Sequence, residues 1–362
     1  MGPTELTSTR SVRDLPKAHL HLHFTGSMRV TTLMDLAGRH GIRLPDALLN
    51  PWPPVLRATD ERGWFRFQRL YDAARSCIRS EADMRRVVRE AARDDAAEGS
   101  AWLELQIDPT SYAPHVGGLI TALEIVLDEA ATAGAAHGIG VAVVVAASRI
   151  RHPLEARTLA RLAARYAGDG PGSVVGFGLS NDERRGTTSE FAPAFRIARK
   201  AGLALVPHGG ELLGAESVAA TLQHLRPDRL GHGVRSVEHP AVLAEVARRG
   251  ITLEVCPGSN VALGVYPDVA RVPVRPLMAA GIRVALGADD PLLFGSRLLD
   301  QYEAVRVAHG CDDHALAALA AGSVAGSRAP EAVKRALLSR VEAWLATPAD
   351  PARPGATGPN SG

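Results

Sequence analysis

The chain has 362 residues, 46% hydrophobic and 22% charged, with 41 Lys and Arg against 39 Asp and Glu for a formal net charge of +2. That balance argues against a nucleic-acid surface built on net basicity, and no run of about 18 apolar residues reads as a membrane span. Three widely separated cysteines, Cys77, Cys256 and Cys311, make neither a disulfide framework nor a C-x-x-C zinc pair.

In chain order, residues 1–13 read as a disordered lead-in without the apolar core of a signal peptide, so the expected location is the cytoplasm. The first apolar run, 18–24, lies in P-K-A-H-L-H-L-H-F-T-G-S. Alternate side chains of a strand share a face, so His21 and His23 point one way with His19, while Leu20, Leu22 and Phe24 point the other. Further strand-like runs follow at 101–107, 141–147, 174–179, 203–207, 229–232, 251–256 and 283–286. Segments of helical period separate them at 85–98, 120–137, 154–166, 191–201, 217–225, 240–249 and 274–281. Arginine supplies nearly all the basic charge, since lysine occurs only at 17, 200 and 334, and the arginine-dense stretch 79–93 reads as one solvated helix face.

Eight strands, each followed by a crossover, fit a single (β/α)8 TIM-type barrel over residues 14–346. No G-x-G-x-x-G follows the first strand, which disfavours an open nucleotide-binding sheet. The interval 28–100 is longer than one helix and concentrates Trp52, Trp64, Phe65, Phe67 and Tyr71. An insertion there sits at the mouth of a barrel, so part of it is expected to form an apolar lid. Helices at 299–309, 314–321 and 330–346 would close the bottom or side. The tail from 347, with Pro348, Pro351, Pro354 and Pro359 among Gly and Ala, reads as disordered.

Polar residues gather at the predicted strand ends, where a barrel places its chemistry. The first strand ends in its histidines, the fifth in H208-G-G-E211, the sixth in R-L-G-H232-G and the eighth in A-L-G-A-D289-D290-P. Spacing alone leaves open which members of the H-x-H-x-H run are ligands. Three imidazole nitrogens and one carboxylate oxygen, from His21, His23, His208 and Asp289, would suit Zn2+, and the same N/O donors also accept Fe2+ or Mn2+. Such an ion lowers the pKa of water from 15.7 toward roughly 7. His232 is then a candidate base for that water and Glu211 a candidate acid toward the substrate. Asp290 diverges from its neighbour and is left to face the substrate.

Together these residues resemble the adenosine deaminase family, metal-dependent aminohydrolases on a (β/α)8 barrel. The resemblance rests on five ordered motifs, P-K-A-H-L-H-L-H-F-T-G-S, H-G-G-E, R-L-G-H-G, E-V-C-P-G-S-N and A-L-G-A-D-D-P, spread over about 15–345. It implies His21, His23, His208 and Asp289 as metal ligands, with His19 left out. It also implies Glu211 as proton donor to the purine N1, His232 as the residue that positions and deprotonates water, and Asp290 as the partner of N7. The implied reaction adds water at C6 of an adenine nucleoside and releases ammonia, with a small purine nucleoside as partner.

Two positions depart from the family's adenosine-specific pattern. Thr25 stands where those enzymes carry an aspartate for the ribose 5′-hydroxyl, and Asn181 stands where a glycine N–H meets the purine N3. Asparagine tolerates positive φ better than most residues. A 5′-modified nucleoside such as aminodeoxyfutalosine is the alternative substrate, with Arg149, Arg151 or His152 to meet an acidic group. Free adenine is less favoured, because adenine deaminases of the family carry glutamate at the position of Thr25. The fourth strand offers no lysine to bridge two metals, and a cytidine-type zinc site would need a C-x-x-C. A barrel that keeps the metal without catalysis is a further alternative. No isolated apolar stripe demands a partner, and the sequence does not specify an oligomeric state.

Overall fold

The computed structural model describes residues 10–348 except 57 and 59, so most of the expected lead-in and tail lies outside the described residues. Eight strands, β1 (Lys17–His23), β2 (Ser100–Ile107), β3 (Gly140–Ser148), β4 (Val174–Ser180), β5 (Ala204–Gly209), β6 (Arg229–His232), β7 (Thr252–Val255) and β8 (Val284–Leu286), pair in parallel in sequence order. The ring closes between its first and last members: His23 N donates to Asp289 O at 3.0 Å and Asp289 N to His21 O at 2.9 Å. This is the expected (β/α)8 barrel. β3, β4 and β8 are nearly wholly apolar runs because helices cover one face and the barrel interior the other, whereas β1 and β2 alternate polar with apolar residues.

One strand breaks the simple alternation. Pairing of β1 with β2 shifts register between His19 and Leu22, so the side-chain parity changes there. Leu20 packs with Trp102 and Val144, whereas Leu22 joins the cluster of Leu33 and Leu103. The three histidines therefore do not share one environment, contrary to a regular strand. His19 turns to the Asp95 carboxylate, 2.9 Å from Nδ1, on the helix Glu81–Ala97. Its Nε2 accepts from Ala288 N at 3.0 Å, so both ring nitrogens are used.

Among the described residues, the interval after β1 holds three α-helices, Val30–Arg39, Glu61–Arg75 and Glu81–Ala97. The last begins four residues before the expected start, because the Ser80 hydroxyl accepts from Asp83 N and caps its first turn. Within the helix Glu61–Arg75, Trp64, Phe67 and Tyr71 face the mouth of the barrel, but Phe65 is 64% exposed and turns to solvent. The C-terminal helices are Leu298–His309, Asp313–Gly326 and Glu331–Ala346. The second runs five residues past its expected end and lies against β8 and β1: Ser323 Oγ accepts from Ala18 N at 3.0 Å. Gly322 permits that approach, since a Cβ there would stand 2.9 Å from Val284 O.

The end of the expected lead-in is folded. Val12–Asp14 form a 3-10 turn with Val12 fully buried, and the Arg10 guanidinium pairs with Asp313 at 2.8 Å. Apolar burial against the C-terminal helices outweighs the polar composition there. No helix among the described residues is long and apolar enough to cross a membrane.

Candidate metal and active site

The strand tips bring the expected residues together. His21 and His23 come from β1, His208 from β5 and His232 from β6, while Asp289 follows β8. Ring centroids lie 4.7 Å apart for His21 and His208, 4.9 Å for His21 and His232, and 5.3 Å for His23 and His208. Asp289 sits in the middle. Its Oδ1 is 3.1 Å from His23 Nε2 and 3.4 Å from His21 Nε2, and its Oδ2 accepts from Ser259 Oγ at 2.6 Å.

The donor set fits a single cation. His21 Nδ1 lies 2.8 Å from the Glu254 carboxylate and His208 Nδ1 3.0 Å from Leu179 O, which turns each Nε2 lone pair toward the centre. His21 Nε2 is buried without a hydrogen-bond partner, the orphan a metal would satisfy. Donor atoms of His21, His208, His232 and Asp289 lie within 4.8 Å of one another, and those of His23, Asp289 and Asp290 form a second such group. Asp289 joins the two groups, so the expected ligand His23 and the expected base His232 flank the same carboxylate.

Charge follows from burial and neighbours. For His21, burial disfavours a proton, but Asp289 and Glu254 outweigh it and lift the pKa to about 10. The point is one where positive charge is strongly stabilised. Burial, then the positive fields of the other imidazoles, holds His208 well below the ordinary range. Burial likewise lowers His232 to about 3, against the pull of Asp289, leaving it a neutral acceptor. Burial, reinforced by Asp289 and Glu183, raises Glu211 well above the carboxylate range, so it keeps a proton to give. Asp290 rises to about 7 through burial and the charge of Asp289, against the pull of His23.

Backbone strain concentrates here. Among the described residues, four non-glycine residues have positive φ, and three are Asn181 (78°), His232 (62°) and Asp289 (62°). Such conformations persist where the surroundings over-determine them, commonly at working sites. Gly26 is required for another reason: a Cβ there would fall 2.6 Å from Asp290 Cα.

The group opens into a cavity of about 790 Å³, a volume that includes open solvent at its mouth. Thr25 and Asn181 both line it, as expected. Thr25 is buried and its hydroxyl is 2.5 Å from the Tyr112 hydroxyl. The cations named for an acidic substituent do not line it. Arg149 is buried under His208, Arg151 pairs with Glu155 at 3.2 Å in solvent, and His152 Nδ1 caps its helix by accepting from Leu154 N. Among the described residues, the guanidinium that does line the cavity belongs to Arg75. Sequence reasoning also missed Gln106 and Ser148 on the opposite wall, buried with side-chain polar atoms unpaired. Gln106 is the last residue but one of β2 and Ser148 ends β3, the first within and the second just past a run read as apolar, and polarity at those two positions was the available signal.

A buried imidazole–carboxylate group at the C-terminal mouth of a parallel barrel is the arrangement of a metal-dependent hydrolase. The adenosine deaminase family model matches residues 16–344, so the chain belongs to that family. It is 61% identical over 340 residues to a Streptomyces coelicolor chain provisionally described as an adenosine/adenine deaminase, covering 93% of this chain and 98% of that one. The aminodeoxyfutalosine deaminase of Acidothermus cellulolyticus is 33% identical over 299 residues, covering 81% and 82%. Among solved structures, the adenine deaminase of Arthrobacter aurescens superposes with a TM-score of 0.82 at 29% identity, covering 92% of this chain and 99% of that one. The chain is accordingly a metal-dependent hydrolytic deaminase of adenine- or adenosine-like substrates.

Proposed function

We propose that this deaminase acts on an adenine nucleoside, converting adenosine or 2′-deoxyadenosine and water into inosine or 2′-deoxyinosine and ammonia. The observation that carries the reading is that Glu211 and Asp290, both buried, line one cavity with His208, His232 and Asp289, and burial raises both carboxyls. His21, His23, His208 and Asp289 would hold one metal ion, Zn2+ by its preference for such N/O sets. When bound, that ion supplies the Lewis acidity that makes water nucleophilic at neutral pH.

The chain's own groups do the rest. His232 is neutral and buried, and accepts the proton that water gives up as its oxygen bonds to C6. Its Nε2 lies 3.5 Å from Glu211 Oε1, so base and acid stand side by side. Glu211 donates to the ring N1, which draws electron density from C6. The C6–N6 bond then breaks as the amine takes the proton held by His232 and leaves as ammonia, and the proton of the C6 hydroxyl returns to Glu211 as the C6 carbonyl forms. Asp290, whose carboxyl burial raises to about 7, donates to N7 in its protonated form, since a carboxylate would repel that acceptor. The Asn181 backbone N–H serves the N3 edge, and Thr25 stands on the sugar side. The helix Glu61–Arg75 acts as the cover that keeps bulk water out through Trp64, Phe67 and Tyr71.

A 5′-modified nucleoside is the second reading, supported by Arg75 among the lining aromatics. Ammonia release from adenosine, 2′-deoxyadenosine, adenine and aminodeoxyfutalosine, measured beside metal content, tests both. The first reading expects the two simple nucleosides to lead by kcat/KM. Preference for aminodeoxyfutalosine supports the second, preference for adenine removes both, and no turnover by metal-loaded protein removes catalysis.

A further inference from the structure

We propose that Glu183, in the turn after β4, is a positioning residue for Glu211, holding the proton donor through the backbone of the loop that carries it. The inference rests on the reading of Glu211 as the acid. Glu183 is 4% exposed and neither lines the cavity itself nor belongs to the metal group, yet among the described residues it gathers five hydrogen bonds. Gly210 N donates to Oε1 at 2.6 Å, and the N–H groups of Glu211, Leu212 and Leu213 donate to Oε2 at 3.0, 2.8 and 2.9 Å. The Ser217 hydroxyl also donates to Oε1.

Four consecutive backbone N–H groups turned onto one carboxylate form an anion-binding nest. Gly210 makes the turn possible, with φ of +73° and no room for a side chain, since a Cβ would stand 2.4 Å from Val218. The other end of the loop is held by a charge of opposite sign. The Arg149 guanidinium donates to His208 O at 2.8 Å and to Thr188 Oγ1 at 3.2 Å. The buried pair thus brackets the segment from ligand to acid, Arg149 on a carbonyl and Glu183 on the amides.

Glu211 needs that support. Its carboxyl meets His232 Nε2 only at 3.5 Å, beyond a good hydrogen bond, so its aim comes from its backbone. A displacement of about 1 Å at a reacting group costs on the order of 10²-fold in rate. Glu183→Gln keeps the volume and one acceptor but turns an NH2 toward N–H donors. A purely structural role would lower stability, metal content and substrate binding together, whereas a positioning role lowers turnover selectively.

The test measures steady-state adenosine deamination, zinc content and inosine affinity for metal-loaded wild type, Glu183→Gln and Glu183→Asp. We expect kcat of Glu183→Gln to fall about 10²-fold, with KM and inosine affinity within about threefold and zinc unchanged, and partial recovery in Glu183→Asp. Unchanged kcat, or loss of kcat only alongside loss of zinc or inosine binding, overturns the proposal. Should Glu183→Gln fail to fold, Ser217→Ala removes one of the five bonds; a several-fold drop in kcat at constant KM supports the assignment and an unchanged kcat overturns it. Failure of the underlying reading looks different: wild type is inactive on adenosine, or Glu211→Gln keeps its kcat.

Discussion

Thr25 shows how one side chain divides chemistry from recognition. It lines the cavity with its hydroxyl committed to Tyr112, and it carries no charge for a sugar hydroxyl. A carboxylate accepting a hydroxyl proton is worth about 1.5–3 kcal/mol when buried, or roughly tenfold to a hundredfold in binding. Thr25→Asp, with Tyr112 placed to donate to the new carboxylate, should therefore raise kcat/KM for adenosine by about tenfold and leave adenine unchanged. Parallel kinetics on the two substrates decide it: equal change in both means that recognition lies with Asn181 or the helix above. At this scale the sequence was informative wherever chemistry demands a residue type. Asn181 does adopt the left-handed conformation its side chain tolerates. What it concealed was parity, because nothing in K-A-H-L-H-L-H marks the register shift that removes His19 from its neighbours.

Strands, taken as units, are tied across the barrel by a charge network no motif announces. Arg229 on β6 donates to Glu254 on β7 at 2.6 Å and to Glu104 on β2 at 2.5 Å, all three nearly or fully buried. Glu254 passes the link to His21, and Glu104 also accepts from Trp102 Nε1 at 3.0 Å. For Glu254, burial opposes ionisation, but Arg229 and His21 outweigh it and hold the carboxylate below its usual range. The strands themselves were legible to within one or two residues from apolar runs and breakers. The network was not, because Glu104 and Arg229 are 125 residues apart and each alone reads as a polar interruption. Removing one member leaves uncompensated buried charge, at a cost of about 3–5 kcal/mol. Arg229→Met should lower unfolding free energy by about that amount in a urea melt, with weaker metal retention as His21 loses its oriented acceptor. A loss under about 1 kcal/mol would mean that water or a second cation compensates the carboxylates.

For the molecule as a whole, the face opposite the chemistry must be sealed as firmly as the mouth is open. Lys17 begins β1 there, fully buried, donating to Val12 O, Leu15 O and Glu98 O at 3.0, 2.8 and 2.9 Å. Beside it, Glu98 accepts from Leu299 N at 3.0 Å and so joins the end of the helix Glu81–Ala97 to the C-terminal helices. First strand, insertion and closing helices meet at this cluster, which links segments some two hundred residues apart. Burial, then the charge of Asp95, raises the Glu98 carboxyl from 4.5 to about 7. Between those values the folded chain holds a proton that the unfolded chain has released, so the unfolded state binds fewer protons and stability falls as pH rises. The contribution is fully present below about 4.5 and lost through about 7. With the group only partly buried, solvent screening reduces the effect to on the order of 2 kcal/mol. Glu98→Gln keeps an acceptor for Leu299 N without the ionisation. Urea melts of both forms at intervals from pH 5 to 7.5 should show a steeper loss in wild type and a shallower one in the variant. Parallel curves would mean that Lys17 neutralises the carboxylate in place, and the seal would then be an ion pair insensitive to pH in that window.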